Sequence, residues 1–255
     1  MWSMHAFASN MATTVLPLPV PPVLDQSITS TPQGFVIGKN NILLGGSVCY
    51  GAAPVAGNYA RFLSPSLRRL TPQNITPINL GITHTDPHLC NIDNYQLRKL
   101  DQGEILSCEL GGAIVAIDQK AVIAVLSEAE VKEVYGEIIE ARVQVTIAQN
   151  INAWTQGTIA FMDTLPVGTY DVVGMDVVNV NAIAFRLIFV GQTDRPGFFP
   201  RHLPSATDNR RLFRRGRMGV WGTFTQDQIP QIEVLGSAAL GSATFEGTID
   251  LMVRR

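Results

Sequence analysis

The longest nearly uncharged run of β-forming residues lies between Leu165 and Val190. Val, Ile, Tyr and Phe dominate this run, and these side chains suit a pleated, half-buried surface. The Asn179-Val180-Asn181 break divides it into two segments of strand length, because asparagine tolerates the backbone of tight turns. In the second segment apolar residues occupy every other position from Ile183 to Phe189, and Arg186 falls on the opposite face. The pattern predicts an apolar β-hairpin with one dry face, which needs a second sheet to cover it.

Shorter apolar segments with strand character occur along the rest of the chain. They are predicted at 35–37, 42–50, 104–110, 113–117, 121–126, 138–147, 158–162, 218–225, 231–235 and 243–253. Gly45 and Gly46 indicate a bulge or a close approach inside the second of these strands. In the last strand apolar residues alternate with Thr, Glu and Asp, which predicts one wet face. Residues 51–75 and 191–217 are predicted as long loops, and 118–120 as a turn.

A single helix is predicted, from Ser127 to Tyr135. Ser127 and Glu130 have the capping-box spacing, and Gly136 follows as a C-terminal signal. Many strands, turn-rich connections and little helix predict an all-β fold, a jelly-roll-type β-sandwich. The body, residues 35–255, is long enough for one large sandwich or for two stacked jelly rolls, with sub-halves 35–150 and 151–255.

Residues 1–34 are predicted to form an extended, proline-rich N-terminal arm. Asp25 is the only formally charged side chain in it, and Pro17, Pro19, Pro21 and Pro22 remove backbone donors. The segment is either a disordered tail or an apolar arm that lies on a neighbouring subunit or along its own sheet. The arm residues expected to make contacts are Val15, Leu16, Leu18 and Val20.

Composition adds one argument about assembly. Hydrophobic residues make up 46% of the 255 positions and charged residues only 16%, against roughly 25% charged residues in an average soluble domain. This is typical either of a large core or of extensive burial between subunits. The formal net charge of −2 does not favour nucleic acid as a partner, although it leaves a local contact open. No apolar run is long enough for a transmembrane helix, and the N-terminus lacks the basic region of a signal peptide.

The densest positive charge is the segment RRLFRRGR. Its arginines, Arg210, Arg211, Arg214, Arg215 and Arg217, suit phosphates and carboxylates. Three interpretations compete: an inter-subunit patch opposite Asp or Glu, a nucleic-acid contact, and a solvated loop. The inter-subunit patch is favoured, because a nucleic-acid site usually belongs to a wider basic field.

Other candidate chemistry is sparse. His84, Asp86 and His88 are metal-ligand types, but their spacing matches no structural zinc pattern. Cys49, Cys90 and Cys108 are far apart without a CxxC pair, so three reduced, mostly buried thiols are expected. There is no GxSxG elbow. The sequence predicts no catalytic residue, no cofactor and no bound metal, and hence a protein that is not an enzyme.

In its organisation the chain resembles self-assembling viral coat proteins of the jelly-roll type. The resemblance rests on the apolar arm Val15–Leu24, the strand-rich body Phe35–Val253, and the loops 51–75 and 191–217. It implies a capsid subunit without an active site, located in the virion, that exchanges arms with copies of itself and contacts other shell proteins. The chain lacks the strongly basic arm of many coat proteins, so genome binding by the arm is not implied.

Two tests separate this hypothesis from its alternatives. Deletion of residues 1–33 is expected to leave a folded but unassembled protein. The alternative is a cytoplasmic β-sandwich module that binds carbohydrate or another ligand, with Trp154 or Trp221 as a stacking platform. A third hypothesis is an enzyme that holds a metal in the 84–93 loop, and metal analysis would test it.

Overall fold

The computed structural model describes residues 1–12, 17–50, 59–68, 75–77, 88–90, 98–111, 117–200 and 212–254. It confirms the all-β, sandwich-type fold: the described ranges hold nineteen strands and one four-residue helix, α1 (Pro65–Arg68). The chain forms two compact units. The N-terminal unit comprises Met4–Glu130 and Ile151–Ala153, and the C-terminal unit comprises Met1–Ser3, Val131–Asn150 and Trp154–Arg255.

Two antiparallel sheets build the N-terminal unit. The first has the order β1-β11-β5-β8, with β9 also paired to β5, and the second has the order β3-β4-β10-β6-β7, with β2 also paired to β10. The strands are β1 (Trp2–Met11), β2 (Leu18–Val20), β3 (Ser30–Thr31), β4 (Gly34–Val36), β5 (Ile42–Tyr50), β6 (Tyr59–Leu63), β7 (Ile75–Pro77), β8 (His88–Cys90), β9 (Arg98–Lys99), β10 (Ile105–Gly111) and β11 (Asp118–Ser127). Both sheets contribute to one apolar core, in which Val122 and Leu126 of β11 join Phe35, Leu106 and Cys108.

The prediction for β5 is confirmed, including its irregularity. The register of β5 against β11 shifts between Val125 and Leu126, where Leu44 is the extra residue beside Gly45. A Cβ on Gly46 would lie 1.8 Å from the carbonyl oxygen of Ile123, so this position excludes any side chain. The glycine pair therefore permits both the bulge and the close approach of the neighbouring strand.

The described part of the N-terminal arm lies along the sheets of its own chain. β1 pairs with β11, and its residues Trp2–Ala8 are buried. The other edge of β1 is covered by the proline segment, through bonds from Ala8 N to Pro21 O (3.0 Å) and from Val23 N to Ala6 O (2.7 Å). β2 pairs with β10, with Val20 opposite Cys108. Deleting residues 1–33 would remove a core strand, so the structure favours a destabilised remainder over the folded one that the sequence predicts.

The C-terminal unit contains a single antiparallel sheet of eight strands. Their order is β16-β15-β18-β13-β12-β19-β14-β17. The strands are β12 (Ile139–Gln149), β13 (Trp154–Phe161), β14 (Thr169–Val177), β15 (Ala182–Ile188), β16 (Gly197–Phe198), β17 (Gly222–Thr225), β18 (Gln231–Gly236) and β19 (Leu240–Val253). The sheet is curled, and its two end strands approach each other. The ring of Phe198 on β16 stacks on that of Trp221, which directly precedes β17, with centroids 6.2 Å apart.

The predicted apolar hairpin is wrong in its pairing. The Asn179–Asn181 break is a turn, and the side chain of Asn179 accepts a bond from the backbone N of Asn181 (2.8 Å). However, four strands separate β14 from β15 in the sheet. Almost every residue of β15 is buried, including Arg186, so the strand has no wet face. Because β15 is buried, the backbone N–H and C=O groups along both of its edges need hydrogen-bond partners. Here β16 and β18 provide them.

Four other local predictions are wrong. Ser127 ends β11, and residues 128–138 form no helix, although the capping-box signal is present. The predicted turn 118–120 is the start of β11. The predicted loop 51–75 contains β6 and α1, and the predicted loop 191–217 contains β16. The predicted strand 113–117 lies mostly outside the described residues.

Candidate functional site

The described part of the arginine segment is a tight turn on the surface of the C-terminal unit. Arg215, Gly216 and Gly219 all have left-handed backbones, with φ of 52°, 78° and 68°. A Cβ on Gly216 would lie 2.3 Å from the carbonyl oxygen of Val134. Gly216 N donates to Val173 O (2.8 Å), and Val134 N donates to Gly216 O (2.9 Å). The turn is thereby tied both to β14 and to the segment before β12.

Arg214 is held by carboxylates from three strands. Its Nε and Nη2 atoms donate to the two oxygens of Asp250 on β19, at 2.7 and 2.8 Å. Its Nη1 atom lies 3.4 Å from Asp176 on β14, and Nη2 lies 3.6 Å from Glu140 on β12. Asp250 is 0% exposed and also accepts a bond from the backbone N of Arg215 (2.8 Å). We define Arg214, Asp250, Asp176 and Glu140 as the Arg214 cluster.

A glycine and a bulge make room for this cluster. The ladder between β14 and β19 shifts register between Val172 and Gly174. This shift leaves the carbonyl of Val173 to accept the bond from the arginine turn. A Cβ on Gly174 would lie 2.5 Å from Asp250 Oδ2 and 2.8 Å from the Cα of Arg214. The backbone of β14 is therefore shaped for the approach of Arg214 to Asp250.

The five arginines have different environments. The charge of Arg214 is met by acidic groups of its own chain. Burial acts to lower the pKa of Arg214, but the bonds to Asp250 outweigh this effect and hold the pKa above its ordinary value. Arg215 is 70% exposed and pairs with Glu140 at 2.7 Å, while Arg217 is exposed. Arg210 and Arg211 lie outside the described residues. Within the described turn, Arg215 and Arg217 are the side chains available to another molecule.

Of the two predicted tryptophan platforms, Trp221 is closed and Trp154 is partly covered. Trp221 is 0% exposed, and its ring packs against Trp2, Phe198 and Phe213. The guanidinium carbon of Arg186 lies 4.1 Å from the centroid of the Trp154 ring. Trp221 therefore has no free face for a sugar, and Trp154, which is half-buried, has Arg186 against its ring.

The predicted metal ligands lie largely outside the described residues. His84 and Asp86 are not described, and His88 is described only as a backbone position in β8. Among the side chains that the structure does describe, no three His, Cys, Asp or Glu residues form a group able to hold a metal ion. Cys108 is a buried free thiol, as expected, and the side chains of Cys49 and Cys90 are not described.

Sequence reasoning missed a buried histidine–carboxylate pair in the N-terminal unit. His5 Nδ1 lies 2.8 Å from Asp25 Oδ2, and both side chains are buried. The other oxygen of Asp25 accepts bonds from the backbone N and the hydroxyl of Ser27, at 2.8 and 2.7 Å. The ring of His5 also packs against Phe35. The pair fixes the segment after the prolines against β1 and has no open face for a substrate.

A second missed group is the buried Lys120 of β11. Burial lowers the pKa of Lys120 from 10.5 to about 8, although its ammonium group contacts the carboxylate of Asp118. Because the folded-state pKa is below the unfolded-state value, the unfolded chain binds more protons between about pH 8 and 10.5. The contribution of Lys120 to the free energy of unfolding therefore rises with pH across this window.

We expect wild-type protein to gain stability relative to the Lys120→Met variant as the pH rises from about 8 to 10.5, by up to about 3 kcal/mol. Urea unfolding of both proteins at several pH values measures this difference. Lys99→Met is the matched control, because Lys99 is exposed in the same unit and should show no such change. A constant difference between wild type and Lys120→Met would contradict the assignment.

One groove with an apolar wall opens on the surface of the C-terminal unit. Its volume is about 420 Å³, and it lies between the end of β13, the loop that follows, and the turn after β17. Its wall includes Ile159, Phe161, Leu165 and Ile229, and its rim includes Asp163 and Gln226. Phe161 is backed by Phe224, whose ring stacks on it with centroids 5.8 Å apart. The groove is thus supported by the core of the sheet.

Comparison with known proteins adds no assignment. No protein-family model, no curated protein and no solved structure matches the chain. In the described ranges, no helix has both the length and the apolar character needed to cross a bilayer. Function is therefore inferred from the contacts and surfaces of this chain.

Proposed function

We propose that this chain is a structural subunit that self-assembles into a symmetric homo-oligomeric shell, as a capsid protein does in a virion. The observation that carries the proposal is the apolar surface around the groove of the C-terminal unit. Ile229 of the groove lining is exposed, and so are Met162 and Val167 of the loop that contributes Leu165 to the groove; Val167 is 94% exposed. Clustered apolar side chains on a surface are typical of protein contacts.

Composition supports the same proposal. Only 16% of the residues are charged, and several of the charged side chains are used inside the chain, in the Arg214 cluster and in the pair between Arg186 and Glu233. Apolar side chains outside the groove lining, among them Leu24, Ile117, Tyr135 and Val190, are more than half exposed. Contacts between copies would cover such surface, at about 25 cal/mol per Å² before the cost of association is subtracted.

The proposal does not depend on exchange of the N-terminal arm. The described residues of the arm are accommodated in their own chain, through the pairs of β1 with β11 and of β2 with β10. Assembly through the exposed surfaces of the folded body is compatible with this arrangement. The arm then acts as part of the subunit rather than as the connection between subunits.

Light scattering on purified protein, combined with negative-stain microscopy, tests the proposal. We expect closed particles of uniform size whose mass is a fixed multiple of the chain mass, because symmetric contacts close on themselves. Dilution should release smaller species, since assembly depends on concentration. A single-chain mass across the whole concentration series, in neutral buffer, would exclude the shell.

A further inference from the structure

The groove of the C-terminal unit and a protruding loop belong to the same small surface. The loop 162–168 joins β13 to β14, and its residue Leu165 lies in the wall of the groove. Two residues further along, Val167 projects into solvent with 94% of its surface exposed. Met162, at the start of the loop, is also exposed. One surface thus contains an apolar projection and, directly beside it, a concave apolar wall.

Two opposite charges lie at the rim of this surface. The Arg142 side chain donates to Asp163 at 3.2 Å, and both side chains are largely exposed. The Arg142 guanidinium holds the pKa of the Asp163 carboxyl below its ordinary value, so the aspartate is charged at neutral pH. A surface with one positive and one negative group is complementary in charge to a second copy of itself, rotated by a half-turn.

We propose that this groove is a two-fold contact between two copies of the chain. The loop 162–168 of each copy enters the groove of the other, and Arg142 of each copy pairs with Asp163 of the other. An isologous contact requires one surface to carry both halves of every interaction, and this surface has an apolar projection with an apolar recess and a cation with an anion. The inference rests on the proposed self-assembly and names one of the contacts that a shell would use, since a two-fold contact alone joins only two copies.

Charge reversal tests the contact in a way that separates it from effects inside one chain. In Arg142→Glu, two acidic groups face each other at every contact, and in Asp163→Arg, two basic groups do. We expect either variant alone to associate roughly tenfold to a hundredfold more weakly than wild type. In a mixture of the two variants, the introduced glutamate of one chain meets the introduced arginine of the other, and the unchanged Asp163 meets the unchanged Arg142. Mixing should therefore restore association.

Lys132→Glu is the matched control, because Lys132 is an exposed cation of the same unit outside the groove. Circular dichroism and the urea midpoint of each variant establish that it is folded. A further variant, Val167→Asp, places a charge on the projecting side chain and should weaken association without changing the urea midpoint.

Each result of the mixing experiment has one meaning. Restored association in the mixture supports the two-fold contact. Restoration only in the double variant Arg142→Glu/Asp163→Arg, and not in the mixture, would show that the pair acts within one chain and would overturn the contact. Single variants that assemble as well as Lys132→Glu would overturn it too, and the shell proposal would then rest on the exposed apolar side chains outside the groove. Wild-type protein that does not assemble at all would remove both.

Discussion

Replacing Arg214 by alanine is expected to lower the free energy of unfolding by about 3–5 kcal/mol, because it leaves the carboxylate of Asp250 buried without its countercharge. Asp250 is 0% exposed, and Arg214 meets both of its oxygens in a bidentate arrangement. Asp176 and Glu140 would then add like charges around the same position. Urea unfolding followed by tryptophan fluorescence measures the loss.

The neighbouring residue provides the control. Arg215 is 70% exposed and pairs with Glu140, a member of the same cluster. Because an exposed pair is screened by water, Arg215→Ala should cost no more than about 1 kcal/mol. Equal losses for the two substitutions would show that burial does not distinguish the two arginines, and the structural role assigned to Arg214 would be wrong.

Replacing Trp2 by alanine is expected to lower the free energy of unfolding by about 3–5 kcal/mol, the cost of removing a large aromatic side chain from a core. The Trp2 ring packs against Trp221 and Phe213, with centroids 5.5 and 6.1 Å away. Its indole nitrogen donates to the carbonyl of Met218 at 3.1 Å. The same unfolding measurement applies, with fluorescence replaced by circular dichroism because a fluorophore is removed.

Leu24→Ala is the comparison for Trp2→Ala, since Leu24 belongs to the same N-terminal segment and is 85% exposed. This change should shift the free energy of unfolding by less than about 0.5 kcal/mol. If both variants were as stable as wild type, the first residues would be dispensable for the fold. The interpretation of the segment as a separate arm would then regain support.

Sequence patterns predicted the individual strands better than their pairing. β5 was predicted with both of its ends, because a continuous apolar run and its two glycines mark it locally. The pairing of β14 with β15 was wrong, because two consecutive strands can lie at distant positions in a curled sheet. The helix after Ser127 was wrong because tertiary contacts hold this segment in an irregular conformation: Val131 is buried, and Val134 N donates to Gly216 O.

For the candidate site, too, the sequence predicted some parts and missed others. The arginine segment was recognisable from its charge, but the partner of Arg214 was not, since Asp250 lies 36 residues further along the chain. Alternation in β19 predicted Asp250 on a wet face, but the structure buries this residue and pairs it with Arg214. Gly174 is an isolated glycine in an apolar strand, and this pattern could have indicated the bulge and close approach at that position. The groove combines β13 with the turn after β17, and no local pattern indicates such a combination.

The bond between Trp2 and Met218 spans 216 positions of the chain. A ribosome that has just made Trp2 must therefore add 216 further residues before the acceptor of that bond exists. During this interval Trp2 lacks its ring partners Trp221 and Phe213 as well as Met218, so we expect the nascent chain to bind chaperones. Closing so distant a contact is also slow, and synthesis at low temperature, which gives the chain more time relative to aggregation, should raise the yield of folded protein.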